Sequence, residues 1–200
     1  MKALLTMFAV CLSLFSLTVM AEEEETNKHS IIIKAGSYTL SSGSQTTFGG
    51  TSKFDEDASG VFGGEFTWKM KGMDDVRFGG ELLFFSNDYS TNGFKGEVSS
   101  LAIMLNVRKY FLEGDFKPFV AGGIGAMSSS FDGFYSGSAG GLAMQFLLGA
   151  QYNVSNDFSL YAEYKNIFSA DVDAEVKDSS EKAEFDMSGS GLFAGVAIHF

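Results

Sequence analysis

The sequence predicts an all-β fold, an eight-stranded antiparallel up-and-down transmembrane β-barrel. Three observations point to it. Eight stretches of about ten residues alternate with period two, while no run beyond residue 21 approaches the roughly 20 apolar residues of a membrane helix. The connections between them alternate short and long, as expected when both chain ends lie on one side of an antiparallel barrel. Along most stretches the bulky apolar residues share one face, and charges and glycines share the other.

Residues 1–21 read as a secretory signal peptide. Lys2 is the only charge before Glu22, residues 3–20 are apolar or weakly polar, and Val19-Met20-Ala21 sets up cleavage before Glu22. The run is short for a membrane anchor and no basic stop-transfer cluster follows it. Cys11 sits inside that run behind Val10, a poor context for a lipid-anchored cysteine. Without the signal the chain has no cysteine, hence no disulfide or thiol chemistry. Thirteen basic residues then face 25 acidic ones, a balance unsuited to nucleic acid. With 24 Gly and 21 Phe against one Pro, the composition suits close-packed strands rather than a linker. Residues 22–28 read as a periplasmic lead-in, and 29–200 as one barrel domain.

The predicted strands are 31–40, 61–70, 76–85, 101–111, 119–127, 142–152, 158–167 and 188–200. Short turns fall at 71–75, 112–117 (closed by Pro118) and 154–156. Long loops, rich in Ser, Gly, Asp and Asn, fall at 41–60, 86–99, 128–140 and 169–187. In the second strand Phe62, Phe66 and Trp68 oppose Glu65, Thr67 and Lys69. In the third, Phe78, Leu82 and Phe84 oppose Arg77, Glu81, Leu83 and Phe85. The fourth sets Leu101, Ile103, Leu105 and Val107 against Ser100, Asn106 and Arg108. The sixth and seventh repeat the pattern, whereas the fifth carries small residues on both faces. Eight strands enclose little room, so the glycine-rich, mixed polar face fits the lumen and the bulky face fits lipid. The last strand, GLFAGVAIHF, then needs no covering protein layer. Trp68, Tyr110, Phe119, Tyr152, Phe158 and Phe200 fall near the short-turn ends, where an interfacial aromatic girdle sits.

Three stretches carry a family resemblance: 106–127 (NVRKYFLEGDFKPFVAGGIGAM), 147–164 (LLGAQYNVSNDFSLYAEY) and 191–200 (GLFAGVAIHF). They resemble the small outer-membrane barrels of the OmpA-like, OmpX-like and opacity-type families. The resemblance implies a Gram-negative outer membrane, with lipid and lipopolysaccharide around the wall. It also implies an assembly signal for the outer-membrane assembly machinery at Phe200, with Ile198 and Val196. Residues 31–40 (IIIKAGSYTL) resemble the first strand of OmpW-like proteins, which are associated with small hydrophobic compounds.

Strand parity sends Lys34, Glu65, Lys69, Arg77, Glu81, Arg108, Glu163 and Lys165 into the lumen. Such a set makes either a polar pore or a plug of paired charges, and a narrow interior favours the plug because buried ions must be paired. Some barrels of this kind are lipopolysaccharide deacylases or palmitoyl transferases. Beyond residue 21 this chain offers only His29 and His199, both at the short-turn end, and no nucleophile–base–orienter set. No enzyme activity, cofactor or metal site is expected. Asp55, Glu56 and Asp57 in the first loop, with Asp171, Asp173, Glu175, Asp178, Glu181, Glu184 and Asp186 in the fourth, suggest a solvated surface or one that meets divalent cations or a basic partner. Phe48, Tyr89, Phe94, Phe131, Phe134 and Tyr135 could contact a host or partner surface, or cap the mouth. Nothing demands an oligomer, so a monomer is expected. The expected role is structural or surface-interacting; the alternative is passage of small hydrophobic molecules through an OmpW-like lumen.

Overall fold

The computed structural model describes residues 29–40, 44–47, 50–53, 55–56, 59–70, 72–73, 75–91, 94–132, 135–170, 172–176 and 182–200. The proposed signal and lead-in lie outside them, as do Phe48, Phe134, Asp57, Asp171, Asp178 and Glu181. The strands are β1 (His29–Leu40), β2 (Ser44–Thr47), β3 (Gly50–Lys53), β4 (Asp55–Glu56), β5 (Ser59–Lys69), β6 (Val76–Thr91) and β7 (Phe94–Tyr110), followed by β8 (Phe116–Asp132), β9 (Tyr135–Asn153), β10 (Phe158–Ser169), β11 (Val172–Val176), β12 (Lys182–Phe185) and β13 (Gly189–His199).

Eight of them close a barrel. The antiparallel order runs β1-β5-β6-β7-β8-β9-β10-β13 and returns to β1, which pairs with β5 on one edge and β13 on the other. Closure leaves no unpaired edge within the wall, the condition for crossing lipid with strands. Two short turns require glycine: Gly72 has φ 82° and Gly114 φ 100°, a region that side chains with a Cβ avoid. Pro118 lies within β8 rather than closing a turn. It is tolerated because β7 ends opposite Phe119, and the Pro118 carbonyl accepts from the Phe111 amide.

The second and third long loops are strand instead. β6 and β7 run 16 and 17 residues, β8 and β9 17 and 19, with pairing that reaches Thr91↔Phe94 in the first hairpin and Phe131↔Gly137 in the second. A membrane crossing takes roughly 9–11 residues, so these hairpins rise well beyond lipid. There the outer face meets water while Val98, Ser129 and Phe131 stay buried inside, and the apolar alternation that marks a strand fades because the outward positions are polar although the pairing continues. The first and fourth loops add strands to this upper tier: β11, β12, β2 and β3 extend the sheet from β9 in that order, and β4 pairs with the end of β6.

The outer wall is apolar. Phe62, Leu105, Ile124, Phe146, Leu148 and Leu192 are each more than 60 % exposed in the bare protein. The fifth predicted strand resolves its ambiguity here: Phe119, Ala121 and Met127 face inward, Val120 and Ile124 outward. The lumen is not mixed-polar throughout. An apolar layer fills its upper half, with Tyr38, Leu83, Phe85, Met104, Met127 and Phe193 among its members. A second layer below contains Ile32, Tyr110, Phe119, Leu147 and Tyr161.

Candidate functional site

Between the two apolar layers lies a sheet of charge contributed by five strands. Lys34 (β1) sits at its centre, its Nζ 3.0 Å from Glu65 (β5), 2.6 Å from Glu81 (β6) and 2.9 Å from Glu163 (β10). Arg108 (β7) pairs with Glu65 at 2.8 Å and lies 3.9 Å from Glu163. Lys165 pairs with Glu81, and with Glu163 at 3.4 Å. Three cations therefore meet three carboxylates, and every side chain is at most 1 % exposed.

Neutral amides and a phenol complete the layer. The Asn106 amide donates to Glu65 and Glu81, the Gln145 amide to Glu81 and Asn106, and the Tyr161 hydroxyl to Glu163. The Arg108 guanidinium lies 4.6 Å from the Phe119 ring centroid and 5.0 Å from that of Tyr161. Its Nε and Nη1 have no hydrogen-bond partner among the described residues. Removing an ion from water costs several kcal/mol even after relaxation, so each charge is held here by its partners. An ion moving along the axis would have to break these pairs with nothing to replace them.

Of the eight lumen charges read from strand parity, six meet in this layer. Lys69 and Arg77 do not. They lie toward the short-turn end in cross-strand register with each other, and Arg77 donates to Ser30 at 3.1 Å. Two residues assigned to the girdle are corrected. Tyr110 and Phe119 turn inward, 7 % and 0 % exposed, and the Tyr110 hydroxyl donates to Gln151. Phe119 fits because Gly149 stands opposite it in the register, where a Cβ would collide with its ring. Tyr152 and Phe158 face outward, and Trp68 stacks on the outer wall between Phe66 and Phe78. Ile198 and Phe200 face outward as well. Phe131 points into the lumen.

Sequence reasoning missed one constellation, because its members are remote in sequence. Near the short turns His199 Nδ1 is 2.7 Å from Ser30 Oγ, and its Nε2 is 2.6 Å from Ser159 Oγ, which donates to Asn153. Ser159 is wholly buried, and the group behind the imidazole is a hydroxyl bonded to Arg77 rather than a carboxylate. That is the wrong order of charge for a nucleophile and base, and it suits a polar seal of the lower mouth. Among the described residues no group of three His, Cys, Asp or Glu is placed to hold a metal ion.

A family model described as an outer membrane protein beta-barrel domain matches residues 7–200. Among solved structures, Neisserial surface protein A (NspA) superposes with a TM-score of 0.61 at 16 % identity, covering 88 % of this chain and 100 % of that one. The outer membrane protein OprG of Pseudomonas aeruginosa gives 0.59 at 19 % identity, with 90 % and 99 % covered. The outer membrane protein AlkL, solved in DMPC bilayers, gives 0.55 at 12 % identity, with 92 % and 95 % covered. At these identities the likeness is one of fold. A comparison with curated proteins finds no match.

Proposed function

The chain belongs to the outer-membrane β-barrel protein family and is an outer-membrane β-barrel protein, and from that premise we propose that it works as a closed barrel with a structural and surface-presenting role. One observation carries the reading: the neutral layer of three cations and three glutamates, fully buried and bracketed by apolar side chains. A water-filled channel needs a continuous polar path, and among the described residues buried apolar side chains lie on both sides of the charged layer, which supports a closed lumen. Residues 1–21 serve as the export signal, and Val196, Ile198 and Phe200 as the strand read by the assembly machinery. The long loops carry thirteen acidic residues against four basic ones, so a partner outside the cell would meet a strongly negative surface.

The test is gel mobility of the folded protein, unheated and boiled, beside single-channel conductance in planar bilayers. A heat-dependent shift without conductance is the expected result. Stable conductance overturns the closed lumen, and solubility in plain buffer without a shift overturns the membrane barrel.

A second reading, passage of small hydrophobic molecules, draws support from the apolar upper lumen around Tyr38, Phe85, Met104 and Met127. Those side chains fill the space, so a molecule could pass only by displacing them. Uptake of a hydrophobic dye by cells with the barrel, compared with cells without it, separates the two; equal uptake removes the second reading.

A further inference from the structure

The lipid-facing wall is not uniformly filled. Gly122 stands on the outer face of β8, in register between Val107 of β7 and Phe146 of β9. Where neighbouring outward positions carry large side chains, this one carries none. The result is a groove of about 690 Å³ walled by Val107, Val120, Phe146, Leu148 and Tyr164. The Tyr164 hydroxyl is turned to Asn166, which leaves the ring as a wall.

One rim of the groove is charged. Lys109, next to the last residue of β7, belongs to it together with Val76. Its ammonium donates to Asp75 and the side chain is about half exposed, so an ammonium with three hydrogens has donors to spare for a ligand beside it. A lysine here stands at the short-turn, periplasmic edge of the lipid layer, where such side chains meet head groups. A second outward groove, of about 460 Å³ around Leu101, Ile103, Ala126 and Leu142, has no charged residue in its lining.

We infer that the Gly122 groove is a site for one anionic phospholipid of the periplasmic leaflet. An acyl chain lies over Gly122 against Phe146 and Leu148, and the phosphate sits on Lys109. Mobile chains elsewhere slide over a convex wall, whereas a chain in the groove gains contact on three sides. Lys109 adds the preference for negative charge. This site is independent of the lumen and of whether the lumen conducts.

The test titrates delipidated protein in detergent with phosphatidylglycerol or phosphatidylcholine and counts bound lipids by native mass spectrometry. The wild type should take up one phosphatidylglycerol at about tenfold lower concentration than phosphatidylcholine, a difference of about 1.4 kcal/mol. Gly122→Leu fills the groove and should abolish that first step. The position admits a side chain, since an added Cβ meets only the Gln145 carbonyl, at 3.8 Å. Lys109→Gln should make the two lipids equal, while Ala126→Leu in the uncharged groove should change nothing. Heat-dependent gel mobility checks that each variant is folded, and Gly122→Val is the smaller replacement should leucine impair folding. Gradual uptake of several lipids, alike in wild type and Gly122→Leu, would mean an ordinary lipid annulus and overturn the site. An undiminished phosphatidylglycerol preference in Lys109→Gln would overturn the role of the lysine.

Discussion

Replacing Lys34 with methionine removes the hub of the charged layer while keeping a side chain of comparable length. In the wild type Lys34 supplies a cation to Glu65, Glu81 and Glu163. In the variant Glu65 keeps Arg108 at 2.8 Å and Glu81 keeps Lys165. Glu163 is left with more distant cations, Lys165 at 3.4 Å and Arg108 at 3.9 Å. Two cations then face three carboxylates whose side chains are buried from solvent. Removing one partner of a buried pair costs about 3–5 kcal/mol, and the absence of exposure here places Lys34→Met within that range. Equilibrium urea unfolding in lipid vesicles, followed by loss of the fast-migrating gel form, should show the midpoint falling with an unchanged slope. The double variant Lys34→Met/Glu163→Gln restores balance and keeps the pairs Arg108–Glu65 and Lys165–Glu81. Its loss should be smaller than the sum of the two single losses by about 1–3 kcal/mol. A loss below about 1 kcal/mol for Lys34→Met, against the several expected for an unpaired buried charge, would refute the argument. Strict additivity in the double variant would refute it too.

Three other outcomes follow from the geometry. Trp68, the sole tryptophan, should be quenched by lipids brominated near the head group and unaffected by aqueous iodide; the reverse would put it inside the barrel. Gly149→Leu should sharply lower the yield of folded barrel, because its Cβ would meet both the Phe119 ring and the Ala162 carbonyl, whereas the outward Gly80, with no atom near its Cβ position, should accept alanine with normal yield. Deleting Phe200 should reduce the barrel recovered from outer membranes of expressing cells while leaving refolding in detergent little changed, and full recovery would deny the assembly role of the terminal strand.

What was legible in the sequence follows from what a bilayer demands. Leu101 to Val107 alternate strictly because one side must be lipid and the other lumen, so parity alone oriented β5, β6, β7, β9, β10 and β13. Parity also located the six charges of the central layer, since a charge cannot face hydrocarbon. It failed where the physical contrast weakens. Above the lipid, Ser86 to Thr91 and Ser128 to Asp132 continue as strands whose outer face meets water rather than lipid, as at the exposed Ser86, Asp88, Ser128, Ser130 and Asp132, and their polar composition reads as loop. On β8 small residues occupy both faces, so nothing in the pattern showed that Phe119 turns inward. The signal lay in a different strand: Gly149, whose missing side chain makes room for that ring, is 30 residues away. The Ser30–His199–Ser159 chain was hidden for a similar reason, as barrel closure sets its first and last strands side by side.

The charged layer also bears on how the barrel finds its register. Its members come from β1, β5, β6, β7 and β10, and the Lys34–Glu163 contact spans 129 residues of sequence across the closing seam. Side chains alternate with period two, so a slip of one residue in any of these strands would turn its charge from the lumen into lipid. At the bilayer midplane such an exposure costs about 2–4 kcal/mol for a lysine or arginine, and the abandoned partner carries a further penalty inside. An apolar lumen would carry no such penalty, because leucine is tolerated on either face. Six charges that cost free energy to bury are therefore not the most stabilising filling for so narrow a space, yet each has an ion-pair partner in this one arrangement. Lys34 touches all three glutamates, and of these contacts the one to Glu163 on β10 reaches across the seam where β13 joins β1 to β10. The layer that fills the middle of the lumen is then also one whose pairing penalises a slipped register.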